Sequence, residues 1–555
     1  MAVNTITGRS AFLALLKDEG ITHLFGNPGT TELPIMHALA DHPDLNYVLG
    51  LQESLVVTMA DGFSRASGKL VSCNVHVAPG LGNAMGALYN AKFTGTPLIL
   101  TAGQQEQGHG LQEPLLYDPL VPIAAPLVKW ATEVTRLADL PRIVRRAAKV
   151  AMTPPTGPVF ISLPGDILNA EAGLDLGRSS RVESRVLPAP DLIEKLADML
   201  LAAERPLIVV GDEIVKSDAL EEAALVSEAL GAPSWQNTSC YGSHFLSERP
   251  CFMGTLARDQ KVVRNILDKH DLVLSLGADL LRMSVHSETE PVPESVAIVQ
   301  VGLVDWELAK NFPAALALKA DVRETIRALL PVLKKKGGAK LADIAKSRIA
   351  ALAETNWTAK RKKLMATISG NAGAMPMDPD FATLRVVESM DRDSTLVFEG
   401  LTTGRYISNL LAYRERYDFV SYASGGIGWS VPAAVGVSLA QPGKRIVCMV
   451  GDGSAMYSIQ ALWTAAHHKL PITYVICNNG GYRIIKQRLL AFHGSRHFVA
   501  MDFKDPAIDF VGMAQSYGVQ AMRVDRPDML ADALAKARTV NGPVLIDVHV
   551  DGKVG

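Results

Sequence analysis

The chain has 555 residues, of which 48% are hydrophobic and 20% charged, and its formal net charge is -2. That length exceeds a single hydrophobic core and implies roughly two to four domains. The near-neutral balance gives no electrostatic reason to expect nucleic acid or an anionic membrane as partner, and no apolar run reaches the ~18 residues of a membrane span.

Residues 1–20 read as an amphipathic helix with Phe12, Leu13, Leu15 and Leu16 on one side. They lack the basic, apolar and small-residue regions of a secretory leader, so a cytoplasmic protein is expected. Short apolar runs then alternate with helix-length segments, which predicts α/β architecture with parallel sheets. In the first third the predicted strands are 23–25, 47–50, 71–75, 97–101 and 159–163; residues 179–190 are polar and read as a linker. A second α/β unit has strands at 206–211, 272–277 and 297–302 and a helix over 219–230, and is expected to end near Leu333. A charged helical stretch follows, in which Lys360, Arg361, Lys362 and Lys363 are expected on a solvated face.

The last third starts after Met375-Pro376, with strands at 395–398, 445–450, 472–477 and 544–548. The expected domains are therefore 1–180, 190–335 and 376–555, and no 20–50-residue repeat is visible. Of the five cysteines, Cys73, Cys448 and Cys477 lie in apolar runs and Cys240 and Cys251 stand alone. Without a C-x-x-C pair they read as small buried hydrophobes rather than zinc ligands or disulfides.

The most informative stretch is Gly451-Asp452-Gly453-Ser454 at the end of one predicted strand and Asn478-Asn479 at the end of the next. Asp452 and Asn479 stand 27 positions apart, about the length of strand, helix and strand. Both polar groups thus emerge at the carboxyl ends of neighbouring parallel strands, where α/β sheets bind ligands. A carboxylate and an amide oxygen are hard donors suited to Mg2+. Gly451 and Gly453 let the main chain approach phosphates, and Ser454 opens a helix whose N–H groups face an anion.

This pattern resembles the signature of thiamine diphosphate enzymes. The resemblance implies that Asp452 and Asn479 bind Mg2+ through side chains and Gly481 through its carbonyl. In the run Ala423-Ser-Gly-Gly-Ile-Gly-Trp-Ser-Val-Pro432, it implies that the Gly425 carbonyl accepts from the aminopyrimidine and Ile427 wedges under the bent cofactor. The glycine spacing there is incomplete for a dinucleotide loop, and Pro432 follows. Thr402, in Glu399-Gly-Leu-Thr-Thr403, either meets the diphosphate or caps a helix.

In the first third, Tyr47-Val-Leu-Gly-Leu-Gln-Glu53 ends a predicted strand in a glutamate. In the resemblance that carboxyl protonates N1′ of the aminopyrimidine; read alone, Glu53 complements a helix dipole. Residues 25–34, 51–53, 80–86, 101–105 and 461–466 look like the 2-oxo acid decarboxylases of the benzoylformate decarboxylase kind. This likeness spans nearly the whole chain and is weakest in its middle third. It implies three doubly wound α/β domains, pyrimidine-binding, central and diphosphate-binding, and a homo-oligomer (a dimer at least, with a tetramer favoured). Glu53 of one chain then serves the metal site of another. It also implies that His76 relays protons at the substrate and that Thr30 holds the substrate carboxylate.

Three departures bear on the substrate. A second family histidine falls on Ser284, with His286 two positions later; His286 either replaces it or is an exposed loop residue. After Asn479 the chain carries Arg483, Ile484, Lys486 and Arg488; Ile484 and Arg488 fall at ring-contacting positions. These cations either answer a second acidic group on the substrate or face solvent. His109 has no counterpart. The expected activity is non-oxidative decarboxylation of a 2-oxo acid to an aldehyde. The alternatives are a carboligase or lyase of the acetolactate synthase or hydroxyacyl-thioester lyase type and, less favoured, a silent thiamine-binding protein.

Overall fold

A computed structural model describes residues 5–237, 242–284 and 286–554, so Cys240 lies outside the described residues. The chain forms two compact units: Met1–Val182 with Met390–Thr402 and Tyr422–Gly555, and Glu183–Ser389 with Thr403–Ser421. Among the described residues no helix is long and apolar enough to cross a membrane.

In the first unit, one parallel sheet runs in the order Asn46–Leu49, His23–Gly26, Val71–Val75, Leu98–Gln104, Val159–Pro164 and Ala131–Glu133. Val71–Val75 and Leu98–Gln104 are buried throughout, as central strands covered on both faces are. Residues 1–20 are not one helix. Thr5–Thr7 is a strand paired antiparallel with Glu171–Gly173, and the helix Gly8–Asp18 starts where the Thr7 hydroxyl accepts the Ser10 N–H. Phe12, Leu13, Leu15 and Leu16 are fully buried, as their spacing predicts.

A second parallel sheet of this unit sets Thr395–Glu399, Ile446–Gly451, Ile472–Asn478, Val544–His549 and Gln520–Val524 side by side. Gln520–Val524, an edge strand buried only at Val524, carried no strand pattern in the sequence. The helices Glu53–Ser67 and Ser430–Ala440 cross at glycines. A Cβ on Gly62 would overlap the Ala433 backbone, and one on Gly436 the Met59 carbonyl oxygen. Beside the crossing, the buried Asp61 accepts the Trp429 indole N–H at 2.6 Å and the Thr96 hydroxyl at 2.5 Å. The Arg65 guanidinium lies over the Trp429 ring, 4.6 Å from its centroid.

The second unit holds a parallel sheet in the order Phe252–Thr255, Ser234–Gln236, Pro206–Val210, Leu272–Leu276, Ala297–Gly302 and Leu316–Lys319. The order reverses between Pro206–Val210 and Leu272–Leu276, and the crevice at that point is where such sheets take dinucleotides. The buried Glu213 lies at the neighbouring strand ends: its carboxylate accepts the Leu303 N–H at 2.7 Å, and any side chain at Gly277 would strike it. Burial pushes the Glu213 carboxyl up to about 7.

The helix Val322–Leu352 runs through Leu333 and kinks at Gly338, which has φ +54°. One expectation for this unit is corrected. The basic cluster on Trp357–Ser369 is only half solvated. Lys360 donates to the Met253 carbonyl at 3.0 Å and Arg361 to that of Leu410 at 2.8 Å, while Lys362 and Lys363 are exposed. Their aliphatic stems let cations pack on Trp235 and Trp357.

Candidate active site

The strand Ile446–Gly451 ends in the turn that carries Asp452, and Ile472–Asn478 ends beside it, paired in parallel register. Asp452 is buried. Its Oδ1 accepts the Gly453 N–H at 2.8 Å, and its Oδ2 accepts those of Asn479, Gly480 and Gly481 at 3.1, 2.7 and 3.2 Å. Burial pushes its carboxyl up to about 6 against those four donors. One carboxylate thus ties the two strand ends together, as the spacing predicts. The Asn479 Oδ1 is buried without a hydrogen-bond partner. An orphaned hard acceptor next to a carboxylate and the Gly481 carbonyl fits a Mg2+ ion in donor chemistry.

Ser454 lies in the short helix Asp452–Ala455, and a side chain at Gly453 would press on the Tyr482 ring. The loop before Ser430–Ala440 is held from below by Glu399, the last residue of its strand. The Glu399 carboxylate is fully buried and accepts the Gly428 N–H at 2.6 Å and the Ser430 N–H at 2.7 Å. This fixes the stretch containing Gly425, at φ +84°, and the half-buried Ile427. From the other side Asn90 donates to the Gly426 carbonyl at 3.2 Å and also pairs with the Ser424 hydroxyl. Thr402 is half-buried just beyond Glu399.

Glu53 is the first residue of the helix Glu53–Ser67, capped by Gln52. Its oxygens accept from Asn83 at 3.0 Å and Asn27 at 3.4 Å, and Gly80 leaves them room. His76 caps the helix Val77–Thr94. Its Nδ1 stands 2.8 Å from Glu32 Oε2 and 3.1 Å from Thr31 Oγ1. Thr30, one residue earlier, is exposed and lines a cavity of about 460 Å3 with Arg9, Gln104, Gln105 and Asn169. Glu32 and Glu399 were missed by the sequence reading. A glutamate in a turn carries no local mark of its burial.

The remaining positions divide. His286 is exposed in the second unit. His109 is exposed in the turn Gln107–Gln112. On the helix Arg483–His493, Ile484 is half-buried and Arg488 is exposed, its guanidinium 5.9 Å from the Phe492 ring centroid. Lys486 is buried and pairs with Asp502 at 2.6 Å.

Residues 6–115 match the description "Thiamine pyrophosphate enzyme, N-terminal TPP binding domain", residues 193–329 "central domain" and residues 402–548 "C-terminal TPP binding domain". A benzoylformate decarboxylase of Pseudomonas aeruginosa is 34% identical over 98% of this chain and 98% of its own. The chain belongs to the thiamine diphosphate-dependent enzymes. The solved benzoylformate decarboxylase of Polynucleobacter necessarius superposes with a TM-score of 0.87 at 30% identity, covering 99% of both chains. An acetolactate synthase large subunit of Haemophilus influenzae is 25% identical over 98% of this chain and 95% of its own. Asp452, Asn479 and Glu53 lie within the terminal segments matched to cofactor-binding domains of this family, and His286 within the central one.

Proposed function

We propose that this thiamine diphosphate enzyme catalyses the Mg2+-dependent, non-oxidative decarboxylation of a 2-oxo acid to an aldehyde. The observation that carries the reading is His76, a titratable ring held against Glu32 and Thr31 beside the cavity-lining Thr30. Loss of CO2 must be followed by protonation of carbon, and an imidazole is suited to deliver that proton. The names of the relatives at 34% and 30% identity support the same reading.

When bound, thiamine diphosphate supplies an electron sink that lets the bond to the carboxyl carbon break. The chain supplies the rest. Asp452, Asn479 and the Gly481 carbonyl hold Mg2+, and Gly451, Gly453, Ser454 and Thr402 face the diphosphate. The Gly425 carbonyl and Ile427 orient the pyrimidine, and Glu53 holds a proton at N1′. Thr30 binds the substrate carboxylate, His76 returns a proton to carbon, and Ile484 and Arg488 face the rest of the substrate, with His286 a further acid–base candidate. The hydrogen-bond partners of Glu53 lie within residues 27–83 and those of Asp452 within 453–481. Two separate sets suit a site completed across a homodimer, within a cytoplasmic homo-oligomer of three-domain chains.

A carboligase of the acetolactate synthase type is the second reading, favoured by the relative at 25% identity. Synthases of that type carry flavin in the central domain. The test is a panel of neutral, aromatic and acidic 2-oxo acids with thiamine diphosphate and Mg2+, scored for CO2 and aldehyde. At least one acid should give both, and Glu53→Gln should lose most of that turnover while retaining cofactor. Condensation product without free aldehyde from every acid, or a yellow flavin-bearing protein, would favour the second reading.

A further inference from the structure

Glu32 has no solvent exposure, yet three donors and one ring nitrogen converge on it. Oε1 accepts the Gly103 N–H at 2.7 Å and the Thr31 hydroxyl at 2.9 Å. Oε2 accepts the Gly29 N–H at 2.9 Å and stands 2.8 Å from His76 Nδ1. An ionised carboxylate accepts and does not donate. The Thr31 hydrogen is committed to Oε1, so at 3.1 Å the Thr31 oxygen also meets Nδ1 as an acceptor. Nδ1 therefore faces acceptors on both sides. A bare Nδ1 would set its lone pair against theirs, whereas Nδ1–H satisfies both.

We propose that Glu32 is a positioning residue that fixes His76 as the Nδ1–H tautomer and leaves Nε2 as the nitrogen that gives and takes the reaction's proton. The surroundings hold the ring in that pose. Any side chain at Gly29 would occupy the ring's place, so His76 packs directly on the Gly29 backbone. A half-turn of the ring would exchange Nδ1 for a carbon and strand Glu32. Val77, the next residue, is buried, β-branched and at φ +37°. Such a conformation is an outlier that persists where the surroundings impose it. It lies where the strand Val71–Val75 gives way to the helix Val77–Thr94, directly after His76. The His76 side chain keeps 22% exposure, while Nδ1 is engaged by Glu32 and Thr31.

The proton balance is simple. From the doubly protonated ring, Nε2–H passes to the substrate carbon, and the ring is left neutral with Nδ1–H still on Glu32. Solvent recharges Nε2. Only the last link, the use of Nε2 on carbon, rests on the decarboxylase reading; the tautomer does not.

The experiment is solid-state 15N NMR of histidine-labelled holoenzyme at a pH where the ring is neutral, with His76 assigned by difference against His76→Asn. The wild type should show a protonated Nδ1 and a bare Nε2. Glu32→Gln, whose amide can donate to Nδ1, should move the proton to Nε2. The same variant should lower kcat at least tenfold, up to the ~10²–10⁴-fold that acid–base groups supply, with KM and thiamine diphosphate affinity changed no more than about twofold. A wild-type Nε2–H tautomer overturns the proposal even if Glu32→Gln does not fold. So does a folded Glu32→Gln with an unchanged tautomer, whatever its activity. A tautomer that moves in a protein that releases no CO2 from any 2-oxo acid overturns the decarboxylase reading and leaves the positioning role standing.

Discussion

Asp452 and Asn479 meet through the main chain: Asp452 Oδ2 accepts the Asn479 N–H at 3.1 Å, and the Asn479 side-chain Oδ1 is left buried without a hydrogen-bond partner. Leaving a buried acceptor unpaired costs about 1–3 kcal/mol unless something takes its lone pairs. In the proposed site Mg2+ takes them. Asn479→Ala should raise the Mg2+ concentration for half-maximal activity at least tenfold. In EDTA-treated protein the same change removes only an unpaired acceptor, so the apo melting temperature should stay level or rise. A variant with wild-type Mg2+ dependence, or with an apo form several degrees less stable, would remove Asn479 from the metal site.

The crossing of Glu53–Ser67 on Ser430–Ala440 depends on the absence of side chains at Gly62 and Gly436. The Cβ of Gly436→Ala would overlap the Met59 carbonyl oxygen, and backbone cannot swing aside as a flexible side chain can. Overpacking of this kind costs about 1–3 kcal/mol. Urea unfolding of Gly436→Ala should show a lower midpoint at an unchanged slope. Because Glu53 opens the first of these helices and Ile427 precedes the second, activity should also fall. An unchanged midpoint would mean that the helices are not in the contact described.

Much of the site was readable because its geometry is local in sequence. Asp452 and Asn479 are joined by one strand–helix–strand step, so their separation alone places both at strand ends. The helix before Asp18 was readable from Phe12, Leu13, Leu15 and Leu16, but not its start, because Thr5–Thr7 becomes a strand only against Glu171–Gly173. Glu32 was unreadable for the same reason: its partners His76 and Gly103 lie 44 and 71 positions away. Glu213 reaches Leu303 across 90 positions, and nothing in its own helix marks it for burial. Lys360 and Arg361 looked solvated because charge is visible in sequence, whereas the Trp235 and Trp357 rings beneath them are not.

Next to the turn that carries Asn478 and Asn479, His549 contacts Asp547 at 3.2 Å and Asp525 at 3.2 Å. Asp547 also accepts from Asn478, whose Oδ1 accepts the Gly480 N–H. The hydrogen bond to Asp547, aided by the charges of both aspartates, raises His549 above the ordinary imidazole value. A raised histidine contributes stability that is complete below about 6.5, the unfolded value, and is lost as pH rises through the folded one. His549→Gln should therefore melt below the wild type at pH 6 and converge with it in alkali. The difference should be small, since the ring is more than a third exposed. Melting curves from pH 5.5 to 9 check it; a gap independent of pH would show that the ion pairs contribute nothing.

Arg488 bears on which 2-oxo acid is used. It is exposed near the Phe492 ring, whereas its neighbour Lys486 is buried and paired with Asp502. Arg483 donates to the Lys553 carbonyl at 3.1 Å, so the helix Arg483–His493 has two cations committed to structure and Arg488 available to a ligand or to water. If Arg488 faces substrate, a second carboxylate on the acid would meet a guanidinium able to bind it in bidentate fashion. Arg488→Ala should then lower kcat/KM for an acidic 2-oxo acid at least tenfold more than for a neutral aromatic one. An arginine in water would leave that ratio alone, since its loss changes a distant charge equally for every substrate and salt screens it beyond about 10 Å. The decisive measurement is the ratio of kcat/KM values for the two acids, in wild type and variant, at two salt concentrations. A ratio unmoved by the substitution would take Arg488 out of the pocket. It would leave substrate choice to Ile484 and to the cavity beside Thr30, where Arg9 is the cation to replace next.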